Sequence, residues 1–123
     1  MYNYKLHFLN RHSKLEDTLE GLNKKERQAT FLLVSDWDYA CGKLLNKLTT
    51  EHQTTGFPTR DIYVIDSWDI PDGVQMLRET FDIKTRINRV PALITIKDNN
   101  VSVVTNNDGV YRELGFWPNL ISK

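Results

Sequence analysis

The sequence holds a single cysteine, Cys41, among its 123 residues. One thiol cannot close an internal disulfide, so the fold does not rest on a disulfide framework, and the count agrees with a reducing compartment. Excess charge of either sign is also missing, because 16 Lys and Arg balance 16 Asp and Glu. A general nucleic-acid binder needs a positive field to release phosphate counterions, and this chain supplies none. Its one basic cluster, Lys24, Lys25 and Arg27, is short, is broken by Glu26, and reads as a solvated helix end. No apolar run approaches membrane-spanning length. The N-terminal "MYNYKLHFLN" alternates apolar and polar residues and lacks the continuous apolar segment of a signal peptide. These absences lead to the expectation of a cytoplasmic protein with neither nucleic acid nor membrane as partner.

Several chemistries lack their residues. His7, His12 and His52 fall on different elements with no Cys or His at ligand spacing, which argues against zinc. Asp66, Asp69 and Asp72 resemble a calcium loop only in spacing, since the glycine and terminal glutamate are not at the required offsets. Asp36 and Asp38, on either side of Trp37, read as a solvated strand end. No GxxxxGK[ST], GxGxxG or GxSxG occurs. Neither a metal nor a cofactor is expected.

What is present is a clear alternation of periods in a chain of one-domain length, 1–123, with average apolar content. Tyr2, Tyr4, Leu6 and Phe8 recur at period two and predict a half-buried strand. Leu15, Leu19 and Leu22 follow at helical spacing, behind a Ser13–Glu16 capping box, and Gly21 weakens or ends that helix. The continuous apolar run "ATFLLVSD" (29–36) predicts a strand covered on both faces. "ACGKLLNKLTTEHQ" reads as a helix with Leu44, Leu45 and Leu48 inward. "DIYVID" (61–66) is a second buried strand, and Val74, Leu77 and Phe81 mark a second crossover helix. "VPALITI" (90–96) and "VSVVT" (101–105) form a hairpin around the turn "KDNN". A short last helix opens at Asp108 and stops before Pro118. The order predicts an α/β sandwich with a parallel centre and a final antiparallel pair.

Two stretches of this order resemble the thioredoxin family. In "FLLVSDWDYACGKLL" an apolar strand leads to Trp37, four residues before Cys41, and Gly42 follows the cysteine, as in the family's Trp and Cys-Gly-x-Cys pattern. "INRVPALITIKDNNVSVV" resembles the family's cis-proline strand and hairpin, with Pro91 at the proline and Val90 before it. The resemblance runs along nearly the whole chain. It implies a thioredoxin-like three-layer sandwich, a central mixed sheet with flanking helices. It also implies a site in which Cys41 is the nucleophile, Gly42 and Lys43 shape the helix start, Trp37 borders a groove, and Val90 and Pro91 hold the backbone of an extended protein or peptide partner.

Three departures bear on function. The family's second cysteine is Leu44 here, its buried proton-accepting aspartate is Ser35, and the segment from Asp66 to Pro91 is longer, with Trp68 in the extra part. Without a resolving thiol, Cys41 forms a mixed disulfide but cannot clear it alone, and needs an external low-molecular-weight thiol. A helix N-terminus and Lys43 favour its thiolate, while the apolar Leu44 and Trp37 oppose it. Two readings follow: an atypical monothiol redox protein with weak or no dithiol reductase activity, or a non-catalytic binding module in which Cys41 is core and the groove beside Pro91 recruits a partner by strand addition. Trp68 and Trp117, in loop-like stretches, read slightly better as caps on the sandwich ends than as partner anchors.

Overall fold

The computed structural model describes residues 3–24, 28–35, 37–50, 56–98 and 100–116. Of the residues singled out above, Tyr2, Lys25, Glu26, Arg27, Asp36, His52, Trp117 and Pro118 lie outside them. The strands are β1 (Asn3–Phe8), β2 (Gln28–Val34), β3 (Thr59–Asp66), β4 (Ala92–Lys97) and β5 (Asn100–Val104). The helices are α1 (His12–Lys24), α2 (Tyr39–Thr50), α3 (Gly73–Phe81) and α4 (Asn107–Glu113). The sheet order is β1-β3-β2-β4-β5. Strands β1, β3 and β2 are parallel, β4 runs antiparallel to β2, and β5 antiparallel to β4.

The apolar run of β2 explains the layering. Alternate residues point to opposite faces of a strand, and β2 is buried on both. Phe31 and Leu33 join Leu15 and Leu19 of α1 and Leu77 and Phe81 of α3 in one core. Leu32 and Val34 join Cys41, Leu44 and Leu48 of α2 and Val110 and Tyr111 of α4 in the other. The result is a three-layer α/β sandwich. The Tyr4 hydroxyl donates to the Leu114 carbonyl at 2.6 Å and ties the edge strand β1 to the end of α4.

Helix starts differ from the sequence expectation. Helix α1 begins at His12, so Ser13 lies inside the first turn, and Lys14 and Leu15 N–H donate to the Arg11 carbonyl. Helix α4 is opened by Asn106, whose side chain accepts from Gly109 N–H at 2.6 Å, and Asp108 sits within the first turn. In both places another residue already occupies the capping position, and a side chain one or two places further along has no free end to cap. Phe8, expected to be half-buried, is 50% exposed at the end of its edge strand.

Helix α1 runs through Gly21 to Lys24. A Cβ built at Gly21 meets nothing within 4 Å. Gly21→Ala therefore keeps every contact and removes backbone freedom from the unfolded chain. Its expected effect is a gain of about 0.5–1 kcal/mol, read as a higher urea midpoint at unchanged m. A lower midpoint would mean that α1 needs that glycine.

Candidate functional site

The parallel strands β1, β3 and β2 all end at one edge of the sheet, and β4 begins there. The site residues named from the sequence gather at this edge on separate elements. The turn after β2 is closed by Asp38 N–H donating to the Ser35 carbonyl at 3.0 Å. Asp38 then caps α2, its Oδ1 accepting from Cys41 N–H at 3.0 Å and its carbonyl from Gly42 N–H at 3.0 Å.

This cap changes the assigned roles. Helix α2 starts at Tyr39, so Cys41 is its third residue, with its side chain turned into the core. Asp38, not Gly42 or Lys43, shapes the helix start. A Cβ at Gly42 meets nothing within 4 Å, and the Lys43 ammonium lies 5.6 Å from the centre of the Tyr39 ring. The signal for Asp38 was in the sequence: an aspartate three residues before a helical N–H is a preferred N-cap.

Cys41 is fully buried, at 0% exposure, as is Leu44 one turn on. The thiol Sγ accepts Ser35 N–H at 3.5 Å. Burial pushes the Cys41 pKa up to about 11; the Ser35 N–H opposes this, and the Asp38 and Asp66 carboxylates add to the rise. The balance between helix dipole and apolar neighbours is thus resolved by burial and by two carboxylates. At pH 7 such a thiol is ionised in only about one molecule in ten thousand. Ser35, at the position of the family's buried aspartate, is itself 4% exposed, and its Oγ has no hydrogen-bond partner among the described residues.

Trp68 departs from the cap position expected of it. Trp37 is 77% exposed and does not cover the thiol, and Trp68 is 73% exposed and does not cap the sandwich. Tyr39, at 81%, stands out from the same edge. The Val90–Pro91 peptide is cis. Val90 is partly buried against both cores and Pro91 is buried. The ladder between β2 and β4 starts at Leu33 opposite Ala92, so Val90 lies beyond it. A cavity of about 450 Å³ lies at the opposite end of the sheet, among residues such as Thr30, Arg60 and Lys97, and none of the site residues lines it. The Arg60 guanidinium there donates to Thr30 Oγ1 at 3.0 and 3.3 Å.

No protein-family model and no curated protein matches the sequence. Solved structures do match. Thioredoxin O1 from Arabidopsis thaliana aligns over 95% of this chain and 95% of its own, at 13% identity and a TM-score of 0.60. Thioredoxin NaTrxh from Nicotiana alata aligns over 93% of each chain, at 10% identity and a TM-score of 0.56. Thioredoxin O2 from Arabidopsis thaliana covers 89% of this chain and 93% of its own, at 14% identity and a TM-score of 0.55. The chain has the thioredoxin fold, an α/β sandwich with a mixed central sheet, built here around one cysteine. None of the described helices is long and apolar enough to cross a membrane.

Proposed function

We propose that this is a non-catalytic thioredoxin-fold binding module, which holds an extended segment of a protein partner along the edge formed by Trp37, Val90 and the β4 start. The observation that carries the reading is the burial of Cys41, the sole cysteine, at 0% exposure with its pKa raised to about 11. Thiol exchange requires an accessible thiolate. The alternative, monothiol exchange with a low-molecular-weight thiol, requires the start of α2 to open and bring Sγ out of the core. Recognition needs neither step. The main chain at Val90 lies past the end of the β2–β4 ladder, where strand addition would continue it. Exposed aromatic side chains beside it are the residue types enriched at binding hot spots.

Two assays test this together. In insulin reduction with thioredoxin reductase as electron source, the expected result is no turnover. In fluorescence anisotropy with labelled, extended Thr/Val-rich peptides, the wild type and Cys41→Ala should bind with the same affinity. Robust insulin turnover, or loss of peptide binding in Cys41→Ala with the fold intact, would return the site to thiol chemistry.

A further inference from the structure

The loops after β2 and β3 carry the same pair of residues, Trp37–Asp38 and Trp68–Asp69. The two strands are parallel neighbours in register through Val34 and Asp66, and Ser67 N–H donates to the Val34 carbonyl at 3.0 Å. Hydrogen-bonded strands lie about 4.8 Å apart, so both tryptophans rise from adjoining strand ends. Asp38 N–H closes the first turn onto Ser35, and Asp66 Oδ1 accepts Trp68 N–H at 2.8 Å in the second. Both indoles nevertheless stand about three-quarters exposed, at 77% and 73%. Two large aromatic rings left in water on adjoining strand ends mark an interaction surface.

The charge around the pair says what it takes. Asp38 and Asp69 directly follow the two tryptophans, Asp66 precedes Trp68 by two residues, and among the described residues none of the three is ion-paired. The exposed Arg89 lies two residues before Pro91, in the segment leading to β4. The half of the edge formed by the β2 and β3 ends is thus acidic and aromatic. The faces of aromatic rings attract cations, and carboxylates beside them strengthen that attraction. Another exposed ring of the edge, Tyr39, already carries a cation, the Lys43 ammonium.

We propose that Trp37 and Trp68, with Asp38, Asp66 and Asp69, form a recognition site for a lysine or arginine side chain of the partner's extended segment. The inference rests on the binding reading above and specifies its occupant. The cation packs on the indole faces with the carboxylates at its rim, while the segment's main chain continues toward Val90.

The test uses capped octapeptides of alternating Thr and Val in which one central position is Lys, Arg, citrulline, norleucine or Glu. Binding to the full chain is read by anisotropy. The Lys and Arg peptides should bind about tenfold tighter than the citrulline and norleucine peptides, the order of one well-placed cation–π contact, and the Glu peptide weakest. Raising the salt should narrow the gap. In Asp66→Asn/Asp69→Asn, which keeps an acceptor for Trp68 N–H, the Lys peptide should fall to the affinity of the norleucine peptide. Equal binding of the Lys and norleucine peptides by the wild type would overturn this inference and leave the binding reading standing, as would tightest binding of the Glu peptide. Binding of none of the peptides would overturn both.

Discussion

Iodoacetamide will label Cys41 of the folded protein at least about 100-fold more slowly at neutral pH than it labels the denatured chain. The rise in pKa from 9.0 to about 11 removes roughly that factor of thiolate by itself. Complete burial slows the reaction further, because the reagent must wait for an opening of the core. The same shift has a consequence for stability. A thiol whose folded pKa lies above its unfolded value supports the fold fully below the unfolded value, near pH 9. That support is lost as pH rises through the folded value near 11. The loss amounts to about 2–3 kcal/mol for a shift of this size. Tyr63 and Tyr111 are also raised by burial and add to the alkaline loss, but equally in Cys41→Ala. The difference in pH dependence between wild type and Cys41→Ala, measured by urea unfolding from pH 8 to 11, therefore isolates the thiol. Rapid labelling of native protein, with a midpoint well below pH 9, would contradict the buried assignment.

Restoring the missing thiol is expected to damage the protein rather than activate it. Leu44 is fully buried in the core that α2 and α4 form against the sheet. It follows Cys41 by three residues, so the two side chains share one face of the helix. Leu44→Cys removes apolar volume from a closed core and should cost roughly 2–3 kcal/mol, at the low end of the range for truncating buried leucines. The new sulfur lies in the same apolar layer as the old one, away from any disulfide a substrate could present. The expected result is a lower urea midpoint and no insulin reduction by the folded fraction. Insulin turnover by Leu44→Cys would show that the start of α2 opens readily, and would favour monothiol chemistry in the native chain.

The architecture was legible because its signals are periodic. The apolar run of β2 announced burial on both faces, and the two cores that meet across it are its structural counterpart. Leu77 and Phe81 at helical spacing placed α3, and Ala92–Lys97 followed by Asn100–Val104 formed the expected hairpin. Asp98, in the "KDNN" turn, takes a left-handed conformation with φ of 56°, which aspartate tolerates better than most residues. Capping was less legible. It depends on which of several neighbouring Ser, Asn or Asp residues reaches the free N–H groups first, and one turn of helix separates the candidates.

Sequence alone determined the sandwich, its strand order of types, the absence of a second thiol and the place of Trp37, Cys41 and Pro91 each next to a strand end; their sharing of one site was what the family resemblance implied. These follow from periodicity and residue identity, which are local. Only the tertiary structure decided whether Cys41 faces solvent or core. That outcome turns on where α2 begins: with the cap at Asp38, the third helical residue is buried in the core that also holds Leu32, Val34 and Leu93 of the sheet. It also decided that Trp37 and Trp68, distant in sequence, share one exposed edge. Parallel pairing of β2 with β3 brings their loops together, a non-local contact that no local pattern encodes.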